Sequence, residues 1–501
     1  MLSVIVFLPA LAAAGLLAVP ARAPRVLFGA AWTAVAAADL VLVAVAWAGY
    51  QPHGGFAWTE DVTWIPTAGV GYHVGVDGLS LPLVALTAVL FLAVAVYSLR
   101  DGRRPRSRAC LFLFLQTVCL GVFTALDLIL FFVYFDLSIV GMFFVIAGWG
   151  HGDRARAAAV KFFLYTFTGS LALLLGFIGL YLAARPHTFD MVTLIRTDPL
   201  AGRGGYAGLV LLAVMLGLAV KTPVVPFHTW LPPAHTEAPA AGSAILAGVL
   251  LKLGTYGFFR IAMPMLPGSW RQYAVVFIVM GTVSVVYGAL VALGQRSFKR
   301  MIAYTSVNHM GYILLAAGAA GVLAHGDAQA RALAVTGGVT QMVSHGLLTG
   351  ALFLLSGVLY ERGGSYDMDA YSGLAGPMPA FAAVTAVAAF GSLGLPGLAG
   401  FIAEFQVFTG SFATAAAATG IALTGILITT ALFLQALRKI FTGPLRLPGA
   451  GAAGAFGDLT ASEAASTVPL LALAVLIGIA PGFLLDVIEP AARTVTVLVA
   501  R

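Results

Sequence analysis

Charge is what this chain has least of. Only 9% of its 501 residues are Asp, Glu, Lys or Arg, where a soluble domain carries about 25%. Cysteine is nearly missing. Cys110 and Cys119 stand without a Cys-x-x-Cys pair, which argues against a cysteine-held iron–sulfur or zinc centre and reads as small apolar residues on a membrane helix. No Gly-Lys-[Ser/Thr] phosphate loop occurs, so nucleotide binding has no local support. What is there is apolar: 60% of residues are hydrophobic and the mean hydropathy is +0.98. A single soluble domain is excluded, and the class is an all-α integral membrane protein. The net charge of +7 belongs to topology rather than to a nucleic-acid partner, because the arginines cluster in short loops.

A span needs roughly 20 apolar residues. By that length the chain predicts about fourteen transmembrane helices, near 2–19, 27–49, 79–99, 109–126, 127–149, 158–183, 207–231, 239–264, 273–294, 301–323, 334–358, 379–407, 412–437 and 467–488. The first run lacks a basic start and reads as a retained helix, not a cleaved signal. The loop 100–108 holds five arginines, 294–300 holds Arg296, Lys299 and Arg300, and two further loops carry Arg154 with Arg156 and Arg438 with Lys439. All fall on one side of a fourteen-span chain, which assigns that side to the cytoplasm. The loop 50–78 has neither Lys nor Arg and falls opposite, as do both termini. Arg185, Arg196 and Arg203 are an outward exception.

Two helices are predicted to break. Pro223 and Pro226 follow Lys221, and Gly394, Pro396, Gly397 and Gly400 precede Glu404. Proline removes a backbone donor and clashes with the preceding turn. The breaks fall in helices 7 and 12, each fourth in a set of five, so helices 4–8 and 9–13 read as two inverted repeats. The chain then divides into an N-terminal three-helix segment (1–108), a first repeat (109–264), a second repeat (265–440) and a C-terminal loop with the last helix (441–501).

Four ionisable groups lie in apolar runs: Asp136, Lys221, Lys252 and Glu404. A charge at a bilayer centre costs about 2.5–3.5 kcal/mol on insertion scales, so such groups mark ion or proton paths. An amine withdrawn from water gives up its proton more readily, which suits it to carry one. Asp136 would be held ionised by a partner lysine, Lys252 is placed to serve near the midplane, and Glu404 to take and release a proton at an exit. His309 and His345 can relay, since an imidazole passes a proton without moving. His228 and His235 flank the first break, where packing is an equal reading. Asp39 stands alone in an early helix and reads as structural.

The stretches 221–260, FKRMIAYTSVNHMGYI (298–313), QMVSHGLLTGALFLLSGVLYER (341–362) and GLPGLAGFIAEF (394–405) resemble the antiporter-like proton-pumping subunits of respiratory complex I, over roughly 110–445. A carboxylate at the twelfth helix and the lack of a long C-terminal extension are similar to the M-type branch of that family, where L-type and N-type subunits carry lysine. The resemblance implies a proton relay through Asp136, Lys221, Lys252, His309, His345 and Glu404. It implies no cofactor on this chain, with NADH, FMN, iron–sulfur clusters and quinone in partner subunits. It implies L-like and N-like neighbours, lipid contact, and a multi-pass place in a bacterial inner membrane. The family carries glutamate after tryptophan where this chain has Phe135-Asp136, and the shorter aspartate implies a water-mediated contact with Lys221. The same motifs leave open a multi-subunit sodium/proton antiporter or a ferredoxin-linked membrane-bound hydrogenase-type complex. A scaffold of locked charge pairs is the reading from a different class.

Overall fold

The computed structural model describes residues 1–52, 55–323, 327–448 and 456–501. Helix follows apolar run almost throughout: α1 (Leu2–Ala18), α2 (Arg25–Ala48), α3 (Leu81–Tyr97), α4 (Pro105–Thr124), α5 (Leu128–Trp149) and α6 (Ala155–Ala183). A short α7 (Met191–Thr197) lies in a loop, followed by α8 (Gly204–Lys221) and α9 (Leu231–Glu237). Beyond them run α10 (Ala240–Met265), α11 (Pro267–Leu293), α12 (Phe298–Ala319) and α13 (Ala328–Gly363). The chain closes with α14 (Pro379–Ser392), α15 (Ala399–Phe441), α16 (Ala461–Ile479) and α17 (Gly482–Ala500). Ten helices are long and apolar enough to cross a membrane among the described residues, with α1, α3 and α14 shorter apolar ones.

Polar caps set where several helices begin. Asp127 accepts from the backbone N–H of Ile129 and Leu130 at 2.8 and 3.1 Å, splitting α4 from α5. Asp327 caps α13 through Ala330 N–H at 2.6 Å. Thr460 and Glu463 form a capping box at α16, and Arg362 grips the same Glu463 carboxylate through two nitrogens at 2.9 and 2.7 Å, tying α16 to the end of α13. Each side-chain cap satisfies amide donors that the first helical turn leaves without partners. The centre belongs to α10 and α13, whose apolar windows are buried along their whole length, while the outer helices keep an apolar face exposed.

Both expected breaks are present. Helix α8 stops at Lys221 and helix resumes only at Leu231, and the chain is again non-helical between Ser392 and Ala399. Elsewhere the expectations need correction. The run 379–407 is interrupted between Ser392 and Ala399 as expected, and α15 is two helices meeting at the non-helical Ala415 (φ −143°, ψ 49°), so the run expected to start at 412 begins only after that residue. The run 467–488 crosses two helices: α16 ends at Ile479, and residues from Gly482 belong to α17. The loop 50–78 contains an antiparallel hairpin, β1 (Ala57–Ile65) and β2 (Val70–Val76), turning at Gly69 with φ +62°. The hairpin is tied down by the Met1 ammonium on Glu60 at 2.7 Å and by His73 on Asp190 at 2.7 Å. Lys299, counted among loop charges, is fully buried, donating to Ala238 O and to Tyr366 OH.

Candidate functional site

Helix α10 carries Lys252 at its middle, between two π-helical segments, Leu246–Leu250 and Phe258–Ala262. A π turn shifts the backbone register and frees carbonyls, which is why such turns gather at functional positions. Lys252 uses one: its Nζ donates to Ala247 O at 2.6 Å. A second bond runs to His345 Nδ1 on α13 at 2.5 Å. When Lys252 is an ammonium it can only donate, so Nδ1 then accepts and the ring proton sits on Nε2. That nitrogen lies 3.1 Å from Ser306 Oγ on α12, which accepts it. The proton placement is thus fixed by the neighbours on either side.

From His345 the line continues along α12. The rings of His345 and His309 are 5.2 Å apart, edge to face. His309 Nδ1 meets the Gln341 amide nitrogen at 2.9 Å and lies 3.8 Å from Glu404 Oε1 on α15. That last separation exceeds a direct hydrogen bond and is one a bridging water spans. Glu404 folds back beneath the second break, where its carboxylate occupies the space a side chain would need at Gly394 (φ +79°). A residue with a Cβ there would meet both the left-handed backbone penalty and the carboxylate.

The first break holds its groups differently. The Lys221 ammonium ends α8, donates to Ser138 Oγ on α5 at 2.9 Å, and lies 4.6 Å from the centre of the Phe135 ring. A cation over an aromatic face is stabilised by about 0.5–2 kcal/mol. Asp136 acts on it electrostatically, yet no direct ion pair joins them among the described residues; the carboxyl lies beside Ser170, whose hydroxyl donates to Phe167 O, and Asp136 Oδ1 is buried without a partner among the described protein atoms. Asp136 is half-buried, whereas Lys221, Lys252, His309, His345 and Glu404 are all buried.

The six expected residues therefore fall into two groups. Lys252, His345, His309 and Glu404 form one line, and Asp136 with Lys221 forms a second. Between the groups, α8 crosses α10 at Gly254, against Leu218 O and Thr222. The Thr222 hydroxyl there is buried without a partner among the described protein atoms. His235 is buried and stacked on Phe353 at 4.5 Å, with neither ring nitrogen hydrogen-bonded among the described residues. His228 packs edge-on against Tyr287 at 5.0 Å. Asp39 accepts from Gln116 at 2.6 Å between α2 and α4. Both cysteines are buried and free. No group of three or more His, Cys, Asp or Glu side chains fit for a metal occurs among the described residues.

Sequence reasoning missed Ser138, Ser306 and Gln341, the uncharged links. Ser138 sits two residues from Asp136 and Ser306 three residues from His309, but nothing in a hydroxyl's pattern separates a link from a back-bonded packing residue.

The comparisons with known proteins agree with this architecture. Residues 125–429 match the family described as NADH:quinone oxidoreductase/Mrp antiporter, TM. The chain is 38% identical over 505 residues to NADH-quinone oxidoreductase subunit M of Rhodobacter capsulatus, covering 98% of this chain and 95% of that one. Among solved structures it is similar to a chain of respiratory complex I from Thermus thermophilus with bound NADH, with TM-score 0.87, 29% identity and full coverage of both chains. A chain of the Mrp complex from Dietzia shares the fold at TM-score 0.86 and 22% identity, over 99% of this chain and 98% of that one.

Proposed function

This chain belongs to the NADH:quinone oxidoreductase/Mrp antiporter family of membrane proteins, and from that premise we propose that it is a subunit-M-type proton-translocating component of an NADH:quinone oxidoreductase. It spans the inner membrane of a bacterium fourteen times with both termini outside, and its two broken helices are the fourth members of two inverted five-helix repeats. The electron-transfer groups (NADH, FMN, iron–sulfur clusters and quinone) reside in partner subunits, among them L-like and N-like neighbours in the membrane. Electron transfer there drives proton movement here.

The observation that carries this reading is the buried line Lys252–His345–His309–Glu404 across four helices. A proton leaves Lys252 Nζ for His345 Nδ1 as Nε2 gives its own to Ser306 Oγ, whose hydroxyl releases its proton toward His309 through water, so the imidazole changes tautomer without leaving its place. His309 takes the proton toward Glu404, and Glu404 releases it outward. Lys252 is recharged from Lys221 past Thr222. Asp136 sets how firmly Lys221 keeps its proton, so a charge change reaching Asp136 from a neighbouring subunit moves the first proton. Buried polar atoms without a protein partner lie along the way, including Thr222 Oγ1, Ser344 Oγ, Gln341 Oε1 and Tyr312 OH. Leaving such an atom unsatisfied costs about 1–3 kcal/mol, and water fills that role in polar interiors.

The test is Lys252→Ala in the assembled complex reconstituted into vesicles. Proton uptake per NADH is expected to fall while electron transfer to quinone with an uncoupler persists. Unchanged pumping with normal quinone reduction overturns the relay, and sodium-driven proton exchange without NADH selects the antiporter instead.

A further inference from the structure

The outward loops of this chain hold arginines that the usual asymmetry of membrane proteins does not call for. Arg185 is accounted for locally: its guanidinium donates to Leu182 O and Ala184 O at 2.9 and 2.8 Å, closing the end of α6. Arg203, Arg271 and Arg501 come from three separate elements, the start of α8, the first turns of α11 and the end of α17. They converge on one cavity of about 480 Å³. Asp198 lies on the same wall and feels Arg271 and Arg501. Three guanidinium side chains thus face a single carboxylate side chain. Arg271 is held in place by its bond to Val499 O at 2.8 Å. The Ser269 hydroxyl and the opening residues of α8 and α11, Gly204 and Pro267, also line the cavity. The partly positive beginnings of those two long helices add to the arginine field. Beyond the mouth, α8 and α11 turn apolar side chains outward, with Leu209, Leu212, Val275 and Val276 all exposed.

We propose that this cavity binds the phosphate of an anionic phospholipid headgroup, with the acyl chains lying along the exposed apolar faces of α8 and α11. Arginine forks match phosphate oxygens in pairs. The charged mouth accounts for an anion, and the adjoining apolar strip accounts for a lipid rather than a soluble one.

The experiment uses the full complex, stripped of lipid in detergent and titrated with phosphatidylglycerol, phosphatidylcholine or inorganic phosphate, with bound lipid read by native mass spectrometry. Phosphatidylglycerol is expected to bind in preference to phosphatidylcholine. Each basic residue near a membrane surface contributes about 1 kcal/mol, about fivefold in affinity. Arg203→Gln with Arg271→Gln should therefore weaken phosphatidylglycerol binding by about 25-fold. Gly204→Glu should weaken it as well, by adding a carboxylate to the mouth. A Cβ at Gly204 meets open space, and glutamate suits a first helical turn, so this variant decides the matter where the double variant fails to assemble. Equal binding of the two lipids by the unaltered complex, or undiminished phosphatidylglycerol affinity in Gly204→Glu, overturns the proposal. Complete displacement of phosphatidylglycerol by inorganic phosphate at equal concentration would mean a free-anion site and also overturns it.

Discussion

The two broken helices solve opposite electrostatic problems. At the first, the group to be held is a cation, Lys221, and it is held by a hydroxyl and an aromatic face at 2.9 and 4.6 Å, with the Asp136 carboxyl near but not paired to it among the described residues. At the second, the group is a carboxylate, Glu404, beside an imidazole at 3.8 Å. Neither break contains a tight ion pair. A buried pair with good geometry locks both charges, and removing one partner costs about 3–5 kcal/mol. A site whose charges are near but unlocked can change protonation at much smaller cost. The contrast is with Arg260 and Asp77, which bond directly near the end of α10, with Tyr256 OH on the same guanidinium at 2.8 Å. That pair is built to stay charged, and the groups at the breaks are not.

The largest expected effect comes from making the second break resemble a locked one or an inert one. Glu404→Gln keeps the shape and the polar contact but cannot carry a proton. Proton translocation should fall by at least about tenfold, toward the range a positioned acid or base contributes, while the assembly stays intact on a native gel. Pumping at the unaltered rate would remove Glu404 from the path and leave the line ending at His309. A smaller effect is expected at the first break from Ser138→Ala. Ser138 is the one hydroxyl bonded to the Lys221 ammonium among the described contacts. A hydrogen bond to a charged group contributes about 1.5–3 kcal/mol. Only part of that is felt at the barrier, so a loss of roughly three- to tenfold in pumping rate is expected. An equal loss in Ser170→Ala would show that Asp136, not Lys221, is the group whose support matters.

Much of this asymmetry was legible in the residues. Lys221, Lys252 and Glu404 are conspicuous because an ionisable group in an apolar run has no cheap explanation, and both breaks are written in proline and glycine. What was not legible follows physical lines too. Ser138, Ser306 and Gln341 are links only because other helices aim a partner at them. Lys299 reads as a loop charge beside Arg300, yet α12 starts early enough to bury it. The hairpin escaped notice because β1 is exposed on both faces for most of its length, so it lacks the alternation that betrays a half-buried strand. Helix α17 escaped because Asp486, Glu489 and Arg493 interrupt its apolar run, although those charges share a helix that buries Leu484, Ile488, Ala492 and Val499.

The smallest expected effect lies outside the membrane and sharpens the same distinction between locked and movable charge. His73 of the hairpin bonds Asp190 at 2.7 Å, at the cap of α7. The hydrogen bond to Asp190 holds the imidazole above its ordinary value against the opposing effect of burial. Burial would raise Asp190, but bonds from His73 and Thr193 outweigh it and hold the carboxyl below its ordinary value. The signs fix the window. A raised histidine contributes stability that is complete below its unfolded value and is lost as pH climbs through the folded one. A depressed carboxylate contributes stability present above its unfolded value and lost as pH falls through the folded one. The pair therefore pins the hairpin best between the ordinary values of about 3.9 and 6.5 and loosens as pH rises past the raised histidine. Both side chains are partly exposed, so the effect belongs with surface pairs at about 0–1 kcal/mol, a few-fold at most. Hydrogen exchange across 57–76, corrected for the intrinsic rate, should show protection falling as pH climbs above the ordinary histidine value of about 6.5. His73→Gln should flatten that profile, and an unchanged slope in the variant would assign the pH response to some other contact of the hairpin.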